Sequence, residues 1–163
     1  MTFYLAALLL GVIAGLRAVT APAAVSWAAA LGILKLTGTP LAFLGATIVP
    51  WIVTALAVGE LINDKLPRTP SRKVPIQFGG RIVTGGLAGA AVGLSAGALI
   101  PGLVLGAVGA VIGTLGGAEF RSRLVAATGG RDLPIALLED AIAILGAIWI
   151  VSMAGSAALA LAA

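Results

Sequence analysis

Residues 79–97 read GGRIVTGGLAGAAVGLSAG and residues 102–118 read GLVLGAVGAVIGTLGGA, with no charged side chain from 82 to 118. A glycine costs roughly 1 kcal/mol in a water-exposed helix, so a soluble helix would not carry such a series. In a bilayer the backbone bonds to itself whatever the residue, and glycines let two helices approach closely. The stretch therefore predicts a transmembrane hairpin that turns at Ile100-Pro101-Gly102 and has two glycine faces, a glycine-zipper hairpin.

Eight glycines of this hairpin are predicted to pack helices. They are Gly85, Gly89, Gly93, Gly97, Gly106, Gly109, Gly113 and Gly117. The simpler interpretation is packing of the two helices on each other, or on a second subunit in a homo-oligomer. The alternative is a smooth surface along which helices slide during transport. We favour packing, because small-residue motifs are chiefly interface devices.

The composition is that of an integral membrane protein. The chain has 163 residues, of which 60% are hydrophobic and 10% charged, and its mean hydropathy is +1.15. We expect one all-α transmembrane domain over residues 1–163. There is no cysteine and no histidine, which removes the usual nucleophile, general base and soft metal ligand. We therefore expect no enzyme, no cofactor and no metal.

Six helices are predicted, and the basic residues lie almost entirely between them on one side. The predicted helices are 2–15, 21–34, 41–62, 78–99, 102–124 and 133–154. Nine of the ten Lys and Arg residues fall on one side of this arrangement, and Lys35 alone falls on the other. By the positive-inside rule the charged loops are cytoplasmic, in a bacterial inner membrane. The first helix, about 21 Å long, is short for a span of about 30 Å, so a re-entrant helix is left open.

The basic loop residues are expected to contact lipid headgroups and to set topology, which favours a membrane partner over nucleic acid. They are Lys65, Arg68, Arg72, Lys73, Arg121 and Arg123.

Two segments of the chain are similar to each other. Residues 15–21, GLRAVTA, match residues 79–85, GGRIVTG, at four of seven positions. Repeats are thus predicted over about 15–66 and 79–125, flanked by the first and last helices. Each has an Arg at a helix start and a Glu, Glu60 or Glu119, near the end of the returning helix. Chance similarity in a Gly/Ala-rich chain is the alternative.

The motifs GLRAVTAPAA, GELINDKLPRTPSR, GGRIVTGGLAGA and LLEDAIAI together resemble an uncharacterised bacterial family of small, Gly/Ala-rich, polytopic membrane proteins. The resemblance covers nearly the whole chain. It implies a membrane location and a compact helical bundle, and it implies no activity and no site residues.

Six charged residues border the apolar spans and are candidates for binding a substrate or ion, since charges at membrane depth are functional candidates by default. They are Arg17, Glu60, Arg81, Glu119, Glu139 and Asp140. One interpretation is that the arginines reach headgroups or pair with the glutamates to hold the repeats together. The other is that the arginines line a cavity for an anionic group. A buried Glu139 would be suited to carry a proton.

Two functions follow from these alternatives. The first is a transporter or exporter of a small anionic solute or a lipid-like molecule, with proton coupling left open, and it predicts a polar cavity at the charged residues. The second is a non-transporting structural or assembly factor, and it predicts a glycine surface open to a partner.

Overall fold

The structure, a computed structural model, describes residues 2–65, 72 and 74–162. These residues form six α-helices and one short 3-10 helix and contain no strand. The α-helices are α1 (Thr2–Leu16), α2 (Thr20–Ala30), α3 (Val49–Asn63), α4 (Pro75–Leu94), α5 (Leu99–Ala127) and α6 (Asp132–Ala162), and the 3-10 helix is Ala42–Gly45. The prediction of an all-α chain with about six helices is confirmed.

Successive helices run in alternating directions between two ends of the bundle. At one end, which we call the charged end, Arg17 after α1 contacts Asp64 after α3 and Asp140 in α6. Arg81 near the start of α4 and Arg121 near the end of α5 lie in the same group of side chains. The ends of α1, α3 and α5 and the starts of α4 and α6 therefore lie together at the charged end.

Helix α5 lies in backbone contact with α4 because both helices carry glycine where they meet. A Cβ atom added to Gly89 would overlap with the carbonyl oxygen of Gly102, and one added to Gly106 would overlap with that of Gly85. A Cβ on Gly93 would lie 2.9 Å from the Cα of Gly102. No other residue type fits at these positions without separating the two helices.

An adjoining part of the same glycine face of α5 packs on α1 in the same way, a contact that the sequence did not predict. A Cβ on Gly11 would overlap with the carbonyl oxygen of Gly106, and one on Gly15 would lie 2.5 Å from the carbonyl oxygen of Ala110. Gly109 and Gly113 of α5 lie equally close to the backbone of α1. The four-residue spacing of Gly11 and Gly15 was the available signal. Helices α1, α4 and α5 thus form a unit joined backbone to backbone.

The prediction for Gly97 is wrong, because α4 ends at Leu94 and not at Leu99. Gly97 has a φ of +70°, and a Cβ there would meet nothing within 4 Å. The amide of Ala98 donates to the carbonyl of Gly93, and that of Gly97 donates to Leu94, the pattern of a glycine-terminated helix. The turn therefore precedes the predicted Ile100-Pro101-Gly102, which belongs to α5, with Pro101 in a first turn that needs no donor from it.

Three further boundaries differ from prediction by more than three residues. Helix α6 continues to Ala162 and does not end at 154. Helix α2 ends at Ala30, since Gly32 adopts a φ of +72° and terminates it. The third helix begins at Val49 and not at Leu41, because Ala46, after the 3-10 helix, is extended. Pro50 consequently lies in the first turn of α3 and does not kink it.

Helix α3 packs mainly on α2 and is less closely held than the glycine-packed unit. The Trp27 and Trp51 rings meet edge to face with centroids 5.0 Å apart, and the Trp27 indole N–H donates to the Thr54 hydroxyl at 2.9 Å. An apolar face of α3 remains exposed, and it includes Ile52, Leu56 and Ile62.

Two of the described helices, α5 over Leu99–Ala127 and α6 over Asp132–Ala157, are long and apolar enough to cross a membrane. Helices α1 and α3 are apolar but shorter. The structure thus supports membrane association by helix length and composition.

We expect Gly106→Ala to destabilise the protein by about 3 kcal/mol or more, since the new methyl group would overlap with backbone atoms that cannot move aside. Thermal denaturation of the purified protein in detergent measures the effect. The matched control in the same helix is Gly116→Ala, where a Cβ meets nothing within 4 Å. Equal melting temperatures for the two variants would contradict the close approach of α5 to its neighbours.

Candidate functional site

Arg17 is the most deeply buried charge of the described residues. Its side chain has 0% of its surface exposed, and it extends from the end of α1 between α3 and α6. Its guanidinium nitrogens lie 2.7 Å from a carboxylate oxygen of Asp64 and 2.6 Å from one of Asp140. A buried charge is costly unless it is paired, so these two carboxylates are what allow Arg17 to remain inside the bundle.

Arg81 and Glu60 close the short turn between α1 and α2. Arg81 Nη1 donates to the carbonyls of Gly15 at 3.0 Å and Leu16 at 2.8 Å. The Glu60 carboxylate accepts from the amides of Ala18 at 2.7 Å and Val19 at 2.9 Å. Helix ends leave such groups without intrahelical partners, and α3 and α4 supply the missing ones here.

Helix α2 has no side-chain cap of its own, because Thr20 is already helical and Val19 occupies the N-cap position. Glu60 instead accepts from the two amides that precede it.

A second layer of charges surrounds Glu139 and Asp140. Arg72 binds Glu139 through both terminal nitrogens, at 2.5 and 3.0 Å, and Lys65 binds Asp140 at 2.5 Å. Arg121 bridges Asp64, Asp132 and Glu139 at 2.8–3.2 Å. These contacts link α3, α5 and α6 to the segment that contains Arg72.

We call these ten side chains the ionic network. Its basic members are Arg17, Lys65, Arg72, Arg81 and Arg121, and its acidic members are Glu60, Asp64, Asp132, Glu139 and Asp140. Five positive and five negative formal charges give zero for this set. The network therefore does not attract anions by an excess of positive charge, and any binding must exchange one partner for another.

Asp64 follows the last residue of α3 and holds two arginines. Burial raises the pKa of Asp64, but the hydrogen bond from Arg121 and the charge of Arg17 outweigh burial and lower it from 3.8 to about 2. The carboxylate therefore stays charged down to strongly acidic pH.

Five of the six predicted site residues are brought together, and Glu119 is not. Arg17, Glu60, Arg81, Glu139 and Asp140 belong to the ionic network. Glu119 points away from the bundle and pairs at 2.8 Å with Arg123, one turn later in the same exposed face of α5. Glu60 and Glu119 thus have different surroundings, and the internal repeat stays a prediction.

Several network members were missed or given another role. Lys65, Arg72 and Arg121 were expected at lipid headgroups, and they pair with carboxylates inside the network instead. Asp64 was not singled out, although it lies four residues after Glu60 and hence on the same helix face. Arg123 is exposed and pairs with Glu119, and its contact with lipid headgroups stays a prediction. Arg68 and Lys73 lie outside the described residues.

Two largely apolar spaces adjoin the network. A cavity of about 140 Å³ between α5 and α6 touches Arg121 and Glu139 and is otherwise bounded mainly by apolar side chains such as Phe120 and Leu138. A groove of about 290 Å³ lies between α2, α3 and α6. Thr20 and Leu61 lie at its charged end, and Trp27 lies farther along α2. We call this second space the α3 groove.

Comparisons of the chain with family models, with curated proteins and with solved structures find no significant match. The resemblance to a bacterial membrane family stays a prediction. What the network does must therefore be inferred from its geometry.

We expect Arg17→Gln to lower the free energy of unfolding by about 3–5 kcal/mol, because it leaves Asp64 and Asp140 buried without their shared partner. Thermal denaturation in detergent is again the measurement. The control is Arg123→Gln, which removes an exposed pair at the same end of the bundle and should be close to neutral. Equal melting temperatures for the Arg17→Gln and Arg123→Gln variants would refute the role of Arg17.

The depressed pKa of Asp64 predicts acid sensitivity. The stabilisation is fully present above the unfolded pKa of 3.8 and is lost as the pH falls toward the folded value of about 2. Between pH 7 and 4, Asp64→Asn should be less stable than the unmodified protein. The difference should shrink between pH 4 and 2, as melting temperatures across this range will show. A difference in melting temperature between Asp64→Asn and the unmodified protein that does not change with pH would contradict this prediction. The matched control is Glu119→Gln, which changes an exposed carboxylate.

Proposed function

We propose that this chain is a multi-pass protein of the bacterial cytoplasmic membrane, with its charged end in the cytoplasm, and that it transports a small anionic or lipid-like molecule. The length of α5 and α6 and the exposed apolar faces support a membrane location. Of the described Lys and Arg residues only Lys35 lies away from the charged end, which supports the orientation.

The observation that best supports a transport function is the way in which α3 is attached to the rest of the bundle. Helices α1, α4 and α5 meet backbone to backbone, so that unit is rigid. Helix α3 packs mainly on α2, and the end of α3 is attached to the rest by ion pairs of Glu60, Asp64 and Lys65. It also forms one wall of the α3 groove. We infer that α3 is a gate and that the ionic network closes it on the cytoplasmic side.

A buried ionic network is well suited to a gate. Replacing such a network with apolar side chains is often neutral or stabilising, so the network is weak evidence for stability as such. Its advantage is that charges can exchange partners, whereas packed apolar surfaces must be pulled apart. Glu139 and Asp140 each pair with at least two basic residues, so each can keep one partner while it exchanges another.

The assembly-factor alternative is less well supported. It needs glycine faces that are open to a partner helix, and Gly89, Gly106 and Gly113 lie against other helices of the same chain. Gly59 and Gly116 have open space around them, but single exposed glycines do not form a packing face.

The absence of cysteine allows the gate to be tested by thiol labelling. Ala57 lines the α3 groove and is buried, so Ala57→Cys should react slowly with a membrane-impermeant maleimide in inside-out vesicles. Adding Asp64→Asn should accelerate labelling about tenfold, the change expected if the gate is weakened by about 1.4 kcal/mol. Arg123→Gln should leave the rate unchanged.

General loosening of the bundle is distinguished from gating by Ala88→Cys. Ala88 is fully buried in the core, so its thiol should stay protected in the Asp64→Asn background. Labelling of Ala57→Cys that does not respond to Asp64→Asn on either side of the membrane would refute the gate.

A further inference from the structure

We propose that the transported molecule is a monocarboxylate with an apolar chain, and that Glu60 occupies the binding site of its carboxylate in the closed structure. The role in transport rests on the proposed function, whereas binding can be tested alone. The inference begins from the turn between α1 and α2, which is built to hold a carboxylate.

Each of the two oxygens of the Glu60 carboxylate accepts a hydrogen bond from its own backbone amide. The amide of Ala18 donates to Oε1 at 2.7 Å and that of Val19 donates to Oε2 at 2.9 Å. These amides lie at the N-terminus of α2, whose dipole favours a negative charge. A planar group with two equivalent oxygens therefore satisfies both donors at once.

Arg81 adds a buried cation that Glu60 leaves partly unused. The Arg81 side chain is 4% exposed, and its Nη2 lies 3.5 Å from Oε1 of Glu60, too far for a good hydrogen bond. Its Nε is buried and has no hydrogen-bond partner. An incoming carboxylate, unconstrained by α3, can approach this guanidinium more closely than Glu60 does.

The α3 groove begins where the carboxylate site ends. Thr20 follows Val19 and Leu61 follows Glu60 in the sequence, and both line the groove. The polar groups farther along, the Trp27 indole and the Thr54 hydroxyl, bind each other, so the groove offers a hydrocarbon surface. Its volume of about 290 Å³ lies near the lower limit of roughly 300 Å³ for small-molecule sites.

Charge and shape together select a monocarboxylate. A phosphate group would bring a second negative charge to a place where one guanidinium is available and the remaining basic network members are paired. A ligand without an anionic group could not displace Glu60 from the amides of Ala18 and Val19. It would make only apolar contacts in the α3 groove. Displacement of Glu60 by a carboxylate also releases one of the attachments of α3, which links binding to opening of the gate.

Fluorescence quenching of Trp27 tests the proposal directly. Trp51 and Trp149 are exposed and are replaced by Phe, which leaves Trp27 as the reporter. Trp27 lies eight residues after Val19, a rise of about 12 Å along α2. The protein in nanodiscs is titrated with decanoate that carries bromine at the far end of the chain, with decanoate brominated beside the carboxylate, and with the end-brominated decanol.

We expect saturable quenching by the end-brominated acid, weaker quenching by the acid brominated beside the carboxylate, and at least tenfold weaker binding of the alcohol. Glu60→Gln, which removes the competing charge, should tighten binding of the acid several-fold, and Arg81→Gln should abolish the preference for the acid. Glu119→Gln should change nothing. Equal quenching by acid and alcohol, or no saturable quenching in the protein that carries only the Trp51→Phe and Trp149→Phe changes, overturns the proposal even if a further variant fails to fold.

The labelling experiment and the quenching experiment test different claims, so a negative result in one does not decide the other. Gated labelling of Ala57→Cys without saturable quenching would leave a gate with a different substrate. Saturable quenching without gated labelling would establish a carboxylate site and refute its place in transport.

Discussion

The burial of Arg17 is the constraint on which the charged end depends. The guanidinium lies inside the bundle, and it can remain there only while Asp64 and Asp140 accompany it. Those carboxylates draw in Lys65 and Arg121, and Arg72 joins through Glu139. The turn between α1 and α2 is closed by the same group of residues, since Arg81 and Glu60 bind the backbone on either side of Arg17. Together, Arg17 and the rest of the ionic network connect the ends of all six helices.

Two kinds of contact hold the bundle, and they differ in how readily they change. Where α1, α4 and α5 meet, glycine brings backbone against backbone, and any shift would create a steric clash or a gap. At the end of α3 the contacts are ionic, and a charged group there has other charged groups close by with which it can pair. In the proposed function, the backbone-packed helices are the fixed unit and α3 is the helix that moves. The α3 groove lies between the two, so movement of α3 would expose it.

The sequence predicted the helices, and the grouping of the charged residues at one end of the bundle, better than it predicted which residues contact each other. Apolar runs identified α5 and the start of α6, since length and hydrophobicity define them, but α6 continues past the predicted end at 154. The run from Leu41 misled because an apolar segment can form a 3-10 turn as readily as a helix start. The glycine spacing indicated close approach but not the partner, and Gly11 and Gly15 of α1 were overlooked. Charge pairing depends on which helix faces turn inward, and the sequence does not show this. Glu119 was expected in the site and is exposed, whereas Asp64 was not singled out and pairs with two arginines.

The central claim is that α3 moves relative to a fixed unit of α1, α4 and α5 when the ionic network is weakened. Electron–electron distance measurements between spin labels test it most directly. One pair joins Gly59 on α3 to Gly116 on α5, two positions with open space around them, and a reference pair joins Val83 on α4 to Gly116. Adding Asp64→Asn should lengthen and broaden the first distance and leave the second unchanged. An unchanged first distance, or an equal change in both, would contradict the account.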